Sequence, residues 1–203
     1  MELIRHLSVN TTHTIDNYIK KGDIVPDFIV PMSENRVFRY YKKERVQEYS
    51  QRFGWTIIED DNKANMFMEM IKEMRMDHSY KPVLLKAILT YADLNGRVKI
   101  SDLVEYFKKF YTARRSNGLI VEKDDSIFAR DNCSDKQIER EILSYPFKRF
   151  ENMSMMHHTK TLGVIQIDPL IWKKLTDIEK KLIEQVCDEK LAYYYQRINK
   201  KKE

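Results

Sequence analysis

Apolar residues recur at helical spacing through most of the chain, and short runs of β-branched and aromatic residues interrupt this spacing. An apolar helix is predicted to end at Leu7, and a three-residue turn follows it. A second helix covers Thr11–Lys21, with Ile15 and Ile19 on one face. Gly22 then supplies the left-handed residue that favours a helix end. The first part of the chain therefore predicts a helix-turn-helix.

The period of the pattern changes after these two helices. Residues 24–30 and 37–41 are rich in β-branched and aromatic residues, and residues 31–36 between them are turn-like. This arrangement predicts a β-hairpin. Residues 42–53 return to helical spacing, so the predicted order is helix, turn, helix, hairpin, helix.

This order resembles the winged helix-turn-helix domains of the MerR and excisionase-like family. The residues that carry the resemblance are Thr14–Gly22 and Arg36–Arg45, within the first quarter of the chain. The resemblance implies a DNA-binding domain over residues 1–54, with the second helix in a major groove and the hairpin as a wing on the flanking backbone. MerR regulators usually continue into a long dimerisation helix, whereas this chain enters a different second domain.

Residues 55–78 are predicted to link the two domains and to contain a Met-rich amphipathic helix. Met66, Met70 and Met74 lie four residues apart and form an adaptable apolar stripe. This stripe either packs against the chain's own second domain or forms a dimer contact.

The second domain, residues 79–203, is predicted to be mostly helical. Two capping boxes, Ser134–Gln137 and Thr176–Glu179, begin helices, and residues 155–168 predict a second hairpin. Helix, short strand, helix, helix and hairpin is the order of a winged helix. We therefore expect either a helical domain or a winged-helix variant with residues 119–133 as an inserted loop. The predicted fold class is α+β, mainly α with short β-hairpins.

The second domain also resembles an accessory module of bacterial helicase-like and restriction-type proteins of phage defence. The residues that carry this resemblance are Ser79–Leu89 and Tyr145–Phe150. It implies a genomic setting and assigns no activity.

Composition adds bounds on the partner and the compartment. The net charge of +5 suits a polyanionic partner, although charges of both signs are plentiful. Cys133 and Cys187 are far apart and indicate reduced thiols in a cytoplasmic protein. The sequence has no apolar run of about 18 residues and no signal peptide, so we expect no membrane partner.

Candidate DNA contacts follow from the predicted elements. Asn can read adenine with two hydrogen bonds, while Thr, Tyr, Lys and Arg commonly hold phosphates. The predicted contacts on the second helix are Thr11, Thr12, His13, Asn17, Tyr18, Lys20 and Lys21. The predicted contacts on and beside the wing are Arg36, Arg39, Lys42 and Lys43. The predicted contacts in the second domain are Arg114, Arg115, Lys148 and Arg149.

The sequence offers no constellation for catalysis. It has no phosphate-binding Gly-rich loop, no metal-ligand cluster and no Gly-x-Ser-x-Gly motif. His157 and His158 are adjacent in a predicted strand, so they point to opposite faces and do not chelate one ion. We expect no enzymatic activity and no cofactor.

The predicted function is that of a sequence-specific DNA-binding protein, a transcriptional regulator from a bacterium or a mobile element. Its partner is double-stranded DNA, and a homodimer would form through the Met-rich helix or the second domain. Two alternatives stay open. One is an architectural accessory factor of recombination or excision. The other is a non-catalytic interaction subunit that docks onto a protein partner in a phage-defence or restriction system.

Overall fold

The computed structural model describes residues 2–9, 12–33 and 36–200, which form a mixed α+β fold. Most of the described residues are helical, and no described helix is both long and apolar enough to cross a membrane. The helices are α1 (Thr12–Lys20), α2 (Glu44–Phe53), α3 (Lys63–Lys72), α4 (Tyr80–Tyr91), α5 (Ile100–Ser116), α6 (Asp135–Ser144), α7 (Pro146–Asn152), α8 (Pro169–Lys174) and α9 (Asp177–Asn199). The strands are β1 (Phe28–Ser33), β2 (Arg36–Tyr40), β3 (Arg97–Lys99), β4 (Met156–Thr159) and β5 (Val164–Ile167).

The first hydrophobic core is small and lies between α1, α2 and the chain before α1. Its buried side chains are Leu3, Ile4, Leu7, Val9, Ile15, Ile24, Tyr41, Val46 and Tyr49. The predicted helix ending at Leu7 is only a single 3-10 turn, Leu3–Arg5. Leu7 instead forms an antiparallel bridge with Ile57, and the Ser8 N–H donates to the Thr56 carbonyl at 2.8 Å. The predicted helix-turn-helix therefore contains one α-helix, because its first segment pairs with distant backbone.

The second core is formed by buried side chains from Met66 to Ile198, including those of the Met-rich helix. Met66, Phe67 and Ile71 of α3 are buried in this core together with Met74, and α3 packs against α8 and α9. Within residues 55–78, Trp55 and Ile57 pack against the first core, and the apolar stripe of the Met-rich helix is covered by the second. Of the two roles predicted for the stripe, the structure shows the packing role.

Three antiparallel strands lie at one side of the second core in the order β3-β5-β4. The strand β3 lies between α4 and α5, and the β4–β5 hairpin follows α7, so the predicted order of elements is observed. Both predicted capping boxes are confirmed, with Ser134 at the start of α6 and Thr176 at the start of α9. Gly96 closes the turn before β3 with a φ of +72°, and a Cβ there would lie 2.7 Å from the Trp172 ring.

Candidate nucleic-acid interface

The helix α1 turns its apolar residues toward the first core and its polar residues toward solvent. Ile15 is buried and Ile19 partly buried, whereas His13, Asn17 and Lys20 are exposed. This division follows from the helical spacing of the apolar positions. With the exposed Lys21 just after α1, four of the contacts predicted on this helix are therefore accessible. The predictions for Thr11 and for the side chain of Thr12 lie outside the described residues.

The Tyr18 side chain, a predicted DNA contact, packs at the edge of the first core. Its ring centroid lies 4.5 Å from that of Phe53 and 5.4 Å from that of Trp55. The Tyr18 carbonyl also accepts a hydrogen bond from the Asp23 N–H at 2.9 Å, which closes the turn after α1. Tyr18 therefore packs α1 against Phe53 of α2 and against Trp55 just beyond it. Both rings come from a distant part of the chain.

The β1–β2 hairpin is attached to α1 by an ion pair. The Arg39 guanidinium lies 2.9 Å from the Asp16 carboxylate, and both side chains are more than a third exposed. Exposed pairs of this kind contribute about 0–1 kcal/mol. Arg39 therefore orients the hairpin relative to α1, and its positive charge is already shared with a carboxylate. The side chain of Arg36 lies outside the described residues.

The hairpin itself is more apolar than a wing that grips phosphates. Every residue of β1 is exposed, and the strand contains no charged residue. The exposed apolar side chains of the hairpin are Phe28, Ile29, Val30, Met32, Val37, Phe38 and Tyr40. Phosphate oxygens offer no favourable contact to such side chains. The predicted wing therefore presents mainly apolar side chains to solvent.

Four lysines near the two ends of the hairpin segment carry unpaired charge. Lys20 and Lys21 precede the hairpin, and Lys42 and Lys43 follow it. All four side chains are exposed, and none has an ion-pair partner among residues 2–9, 12–33 and 36–200. The Lys42 N–H donates to the Asp27 carboxylate at 2.9 Å, and this bond lowers the pKa of Asp27. The backbone before α2 is fixed in this way while the lysine side chains stay free.

Arg114 and Arg115, predicted as phosphate contacts, hold the loop of residues 119–133 against α5. The Arg114 Nε–H donates to the Ile120 carbonyl at 2.9 Å. The Arg115 guanidinium donates to the Phe128 carbonyl at 2.8 Å. The Arg115 Nε also lies 2.9 Å from the Asp131 carboxylate, so the structure gives both arginines a role in loop packing.

Of the DNA contacts predicted in the second domain, Arg149 is the one that bonds to the first domain. Its guanidinium donates to the Val9 carbonyl at 3.4 Å, three positions before α1 begins. Burial lowers the pKa of Arg149, and the described residues offer it no ion-pair partner. Its neighbour Lys148 is instead paired with Glu151 at 2.7 Å.

Arg149 shares a cavity of about 280 Å³ with Lys81, His78 and Tyr145. The Lys81 ammonium donates to the Arg75 carbonyl at 2.8 Å and has no ion-pair partner in the described part of the chain. Burial and then the charge of Arg149 lower the pKa of Lys81. Asp77 also lines this cavity, and its negative charge acts on Lys81 in the opposite direction. The cavity therefore holds charges of both signs.

The histidines of β4 have separate surroundings. His157 Nε2 lies 3.3 Å from Asp168 Oδ2, whereas the His158 ring packs edge-on against Phe147. The Lys63 ammonium lies 2.6 Å from the same carboxylate. Burial tends to raise the pKa of Asp168, but its bonds to Lys63 and His157 outweigh burial and lower it. Within the described residues, no three His, Cys, Asp or Glu side chains lie together as metal ligands.

Sequence reasoning missed a buried polar cluster around Glu122. The Ser79 N–H donates to the Glu122 carboxylate at 2.9 Å, and the hydroxyls of Ser79 and Tyr194 also donate to it. His78 Nδ1 lies 3.5 Å from the carboxylate, which raises the pKa of His78. Ser79 has no exposed surface, so a substrate does not reach its hydroxyl. The cluster fixes the 119–133 loop to the start of α4 and to α9. In the sequence, the single glutamate of that loop is the one feature that points to this cluster.

The resemblance of residues 1–54 to a winged helix-turn-helix family stays a prediction after comparison with known proteins. No family model matches the chain, and no curated protein or solved structure is significantly similar to it.

Proposed function

We propose that the chain is a DNA-binding protein whose first domain presents α1 to a major groove. The observation that carries the proposal is the exposed polar face of α1, with His13, Asn17 and Lys20 opposite the buried Ile15. A major groove accepts an α-helix, and Asn, His and Lys side chains have the donors and acceptors that base edges and phosphates require. The role that suits this arrangement is a regulator of bacterial or mobile-element transcription.

Affinity in this proposal comes from the four unpaired lysines, Lys20, Lys21, Lys42 and Lys43. Each phosphate contact changes the slope of log K against log salt by about −0.9, so four contacts give a slope of roughly −4. The lysines carry no sequence information, because every DNA backbone presents the same phosphates. Discrimination between sequences is therefore assigned to α1, with Asn17 as its principal reader of a base.

The second domain supports the proposal through Arg149. Its guanidinium donates to the Val9 carbonyl just before α1, and it lines a cavity together with Lys81. The order helix, strand, helix, helix, hairpin, with β3 paired to β5, supports a winged-helix variant in this domain. Its proposed part is to hold a flanking phosphate and so to extend a small interface.

Selection of bound duplexes from a random DNA pool, followed by titration of the selected duplex at several salt concentrations, tests this function. We expect an enriched motif, and Asn17→Ala should weaken binding to it by about 10- to 100-fold while leaving random DNA unaffected. Asn65→Ala is the matched control, since Asn65 is an exposed residue of α3.

The other outcomes separate the alternative functions. Salt-dependent binding without an enriched motif would indicate an architectural factor that recognises DNA without reading bases. The absence of salt-dependent DNA binding would overturn the proposal and leave the interaction subunit. Equal losses from Asn17→Ala on every duplex would contradict base reading by α1.

A further inference from the structure

We infer that His78 is a proton-dependent latch, which holds the 119–133 loop against the start of α4 when its imidazole ring is protonated. His78 lies just before Ser79, the residue that precedes α4. Its Nδ1 lies 3.5 Å from the Glu122 carboxylate, and its Nε2 lies 3.9 Å from the Asp125 carboxylate. Both carboxylates belong to the loop, so the ring approaches the loop at two points.

The Glu122 carboxylate is the stronger of the two partners because its side chain is fully buried, whereas the Asp125 side chain is mostly exposed. A buried carboxylate is costly to keep ionised unless it is both hydrogen-bonded and paired with a positive charge. The Ser79 and Tyr194 groups that donate to Glu122 are neutral. The protonated ring of His78 supplies a positive charge at this carboxylate.

The position of Nδ1 decides where the ring carries its proton. Nδ1 is buried, and within the described chain it meets no partner of ordinary hydrogen-bond geometry. A lone pair on Nδ1 would repel the Glu122 carboxylate, so we assign a proton to this nitrogen. In the neutral ring the lone pair then lies on Nε2 and faces Asp125. Protonation of Nε2 therefore turns a repulsion into an attraction and adds a charge beside Glu122.

Other charges also act on the His78 ring. Lys123 of the loop opposes its protonation, whereas Glu141 of α6 favours it. The charged side chains that line the cavity together with His78 are Asp77, Lys81, Lys148 and Arg149. The ring stacks on Tyr80 with centroids 4.7 Å apart, which keeps it directed at the loop. The contact with Glu122 outweighs burial, and the pKa of His78 is raised.

The raised pKa of His78 gives the latch one direction of pH dependence. In an unfolded chain a histidine has a pKa of about 6.5. The stability that the contact adds is fully present below that value and is lost as the pH rises through the folded pKa. The loop is therefore held most firmly in mild acid and loosens toward alkaline pH. This inference does not depend on DNA binding.

Amide hydrogen exchange of the full chain, followed by NMR, tests the inference. The Ser79 N–H donates to Glu122 and the Ser126 N–H donates within the loop, so both report on its opening. After correction for the intrinsic exchange rate, we expect their protection to fall several-fold between about pH 5.5 and about pH 8.5. Amides in the middle of α4 should keep their protection, because the loop opens without them.

Substitution of the histidine separates the latch from other pH effects. His78→Gln should remove the pH-dependent fall, because glutamine does not titrate. His157→Gln is the matched control, since His157 also lies near a carboxylate but outside the loop and α4, and it should keep the fall. Circular dichroism of each variant checks that the fold is kept. A fall that persists in His78→Gln, or an equal fall at every amide, would overturn the inference.

The ring proton of His78 gives a second measurement, made on the unmodified chain. Its NMR signal is identified by its absence from His78→Gln, and its titration midpoint should lie above about 6.5. Glu122→Gln should lower this midpoint, because it removes the buried negative charge and keeps an amide in its place. A midpoint at or below about 6.5, or one that Glu122→Gln leaves unchanged, would contradict the latch.

Discussion

Replacing Glu122 by leucine should destabilise the second domain by about 3–5 kcal/mol. The carboxylate is 2% exposed and accepts hydrogen bonds from the Ser79 N–H and from the hydroxyls of Ser79 and Tyr194. Leucine removes the acceptor for these three donors and for the partly buried Lys123 N–H. The Ser79 hydroxyl keeps a partner, because the Tyr111 hydroxyl lies 2.7 Å from it. The Ser79 N–H and the Tyr194 hydroxyl are buried and lose their acceptor, at about 1–3 kcal/mol each.

Glu122→Gln separates lost hydrogen bonds from lost volume. The glutamine amide oxygen still accepts from the Ser79 N–H, and the amide nitrogen can donate to the Tyr194 oxygen after that hydroxyl rotates. We therefore expect a loss of only about 1 kcal/mol for this variant. Leucine and glutamine both approach the volume of glutamate, so the difference between the two variants measures the unsatisfied donors and not a cavity.

Urea unfolding followed by circular dichroism gives the free energy of unfolding for each variant. Glu73→Leu is the control, since Glu73 is exposed and should change the free energy of unfolding by less than about 0.5 kcal/mol. A loss below about 1 kcal/mol for Glu122→Leu, or equal losses for leucine and glutamine, would refute the reasoning.

Two further predictions follow from ion pairs. Lys63→Met should cost about 3 kcal/mol at neutral pH, because it leaves a buried carboxylate without its lysine. The lowered pKa of Asp168 contributes stability above the pKa that this group has when unfolded, and that stability is lost as the pH falls through the folded pKa. The deficit of Lys63→Met in urea unfolding should therefore shrink in acid, and a deficit independent of pH would contradict this account. If the proposed DNA-binding function holds, Asp16→Asn should strengthen DNA binding by a few-fold in salt titrations, because it frees Arg39. Arg39→Ala should reduce the salt slope by about one. Unchanged binding in both variants would exclude the hairpin arginine as a phosphate contact.

Local sequence signals predicted the elements whose determinants lie within a few residues. The capping boxes at Ser134 and Thr176 were predictable because each side chain bonds the backbone three positions on. The segment before Leu7 was wrongly predicted as an α-helix because its partner, Ile57, lies fifty positions away. Apolar spacing shows that a segment has a buried side, but it does not show which core covers that side. For this reason the spacing of the Met-rich helix left two roles open, packing on the second domain and a dimer contact.

The candidate interface was predictable to the same extent. The exposure of Asn17 follows from the period of α1 alone. The partners of Tyr18, Arg39 and Arg115 are tertiary, and no spacing in the sequence reveals them. The sequence therefore predicts a phosphate contact for any basic side chain in a suitable element. It does not distinguish a phosphate partner from a carboxylate or a carbonyl.

The Glu122 cluster also has a consequence for the rates of folding and unfolding. It joins positions 43 and 72 residues apart, from Ser79 to Glu122 and from Glu122 to Tyr194. Contacts between such distant positions require closure of long loops, so they form late in folding. Interactions that are absent from the transition state slow unfolding and leave the folding rate nearly unchanged. The cluster therefore lengthens the lifetime of the folded domain, and with it the resistance of the 119–133 loop to proteases that act on the opened state.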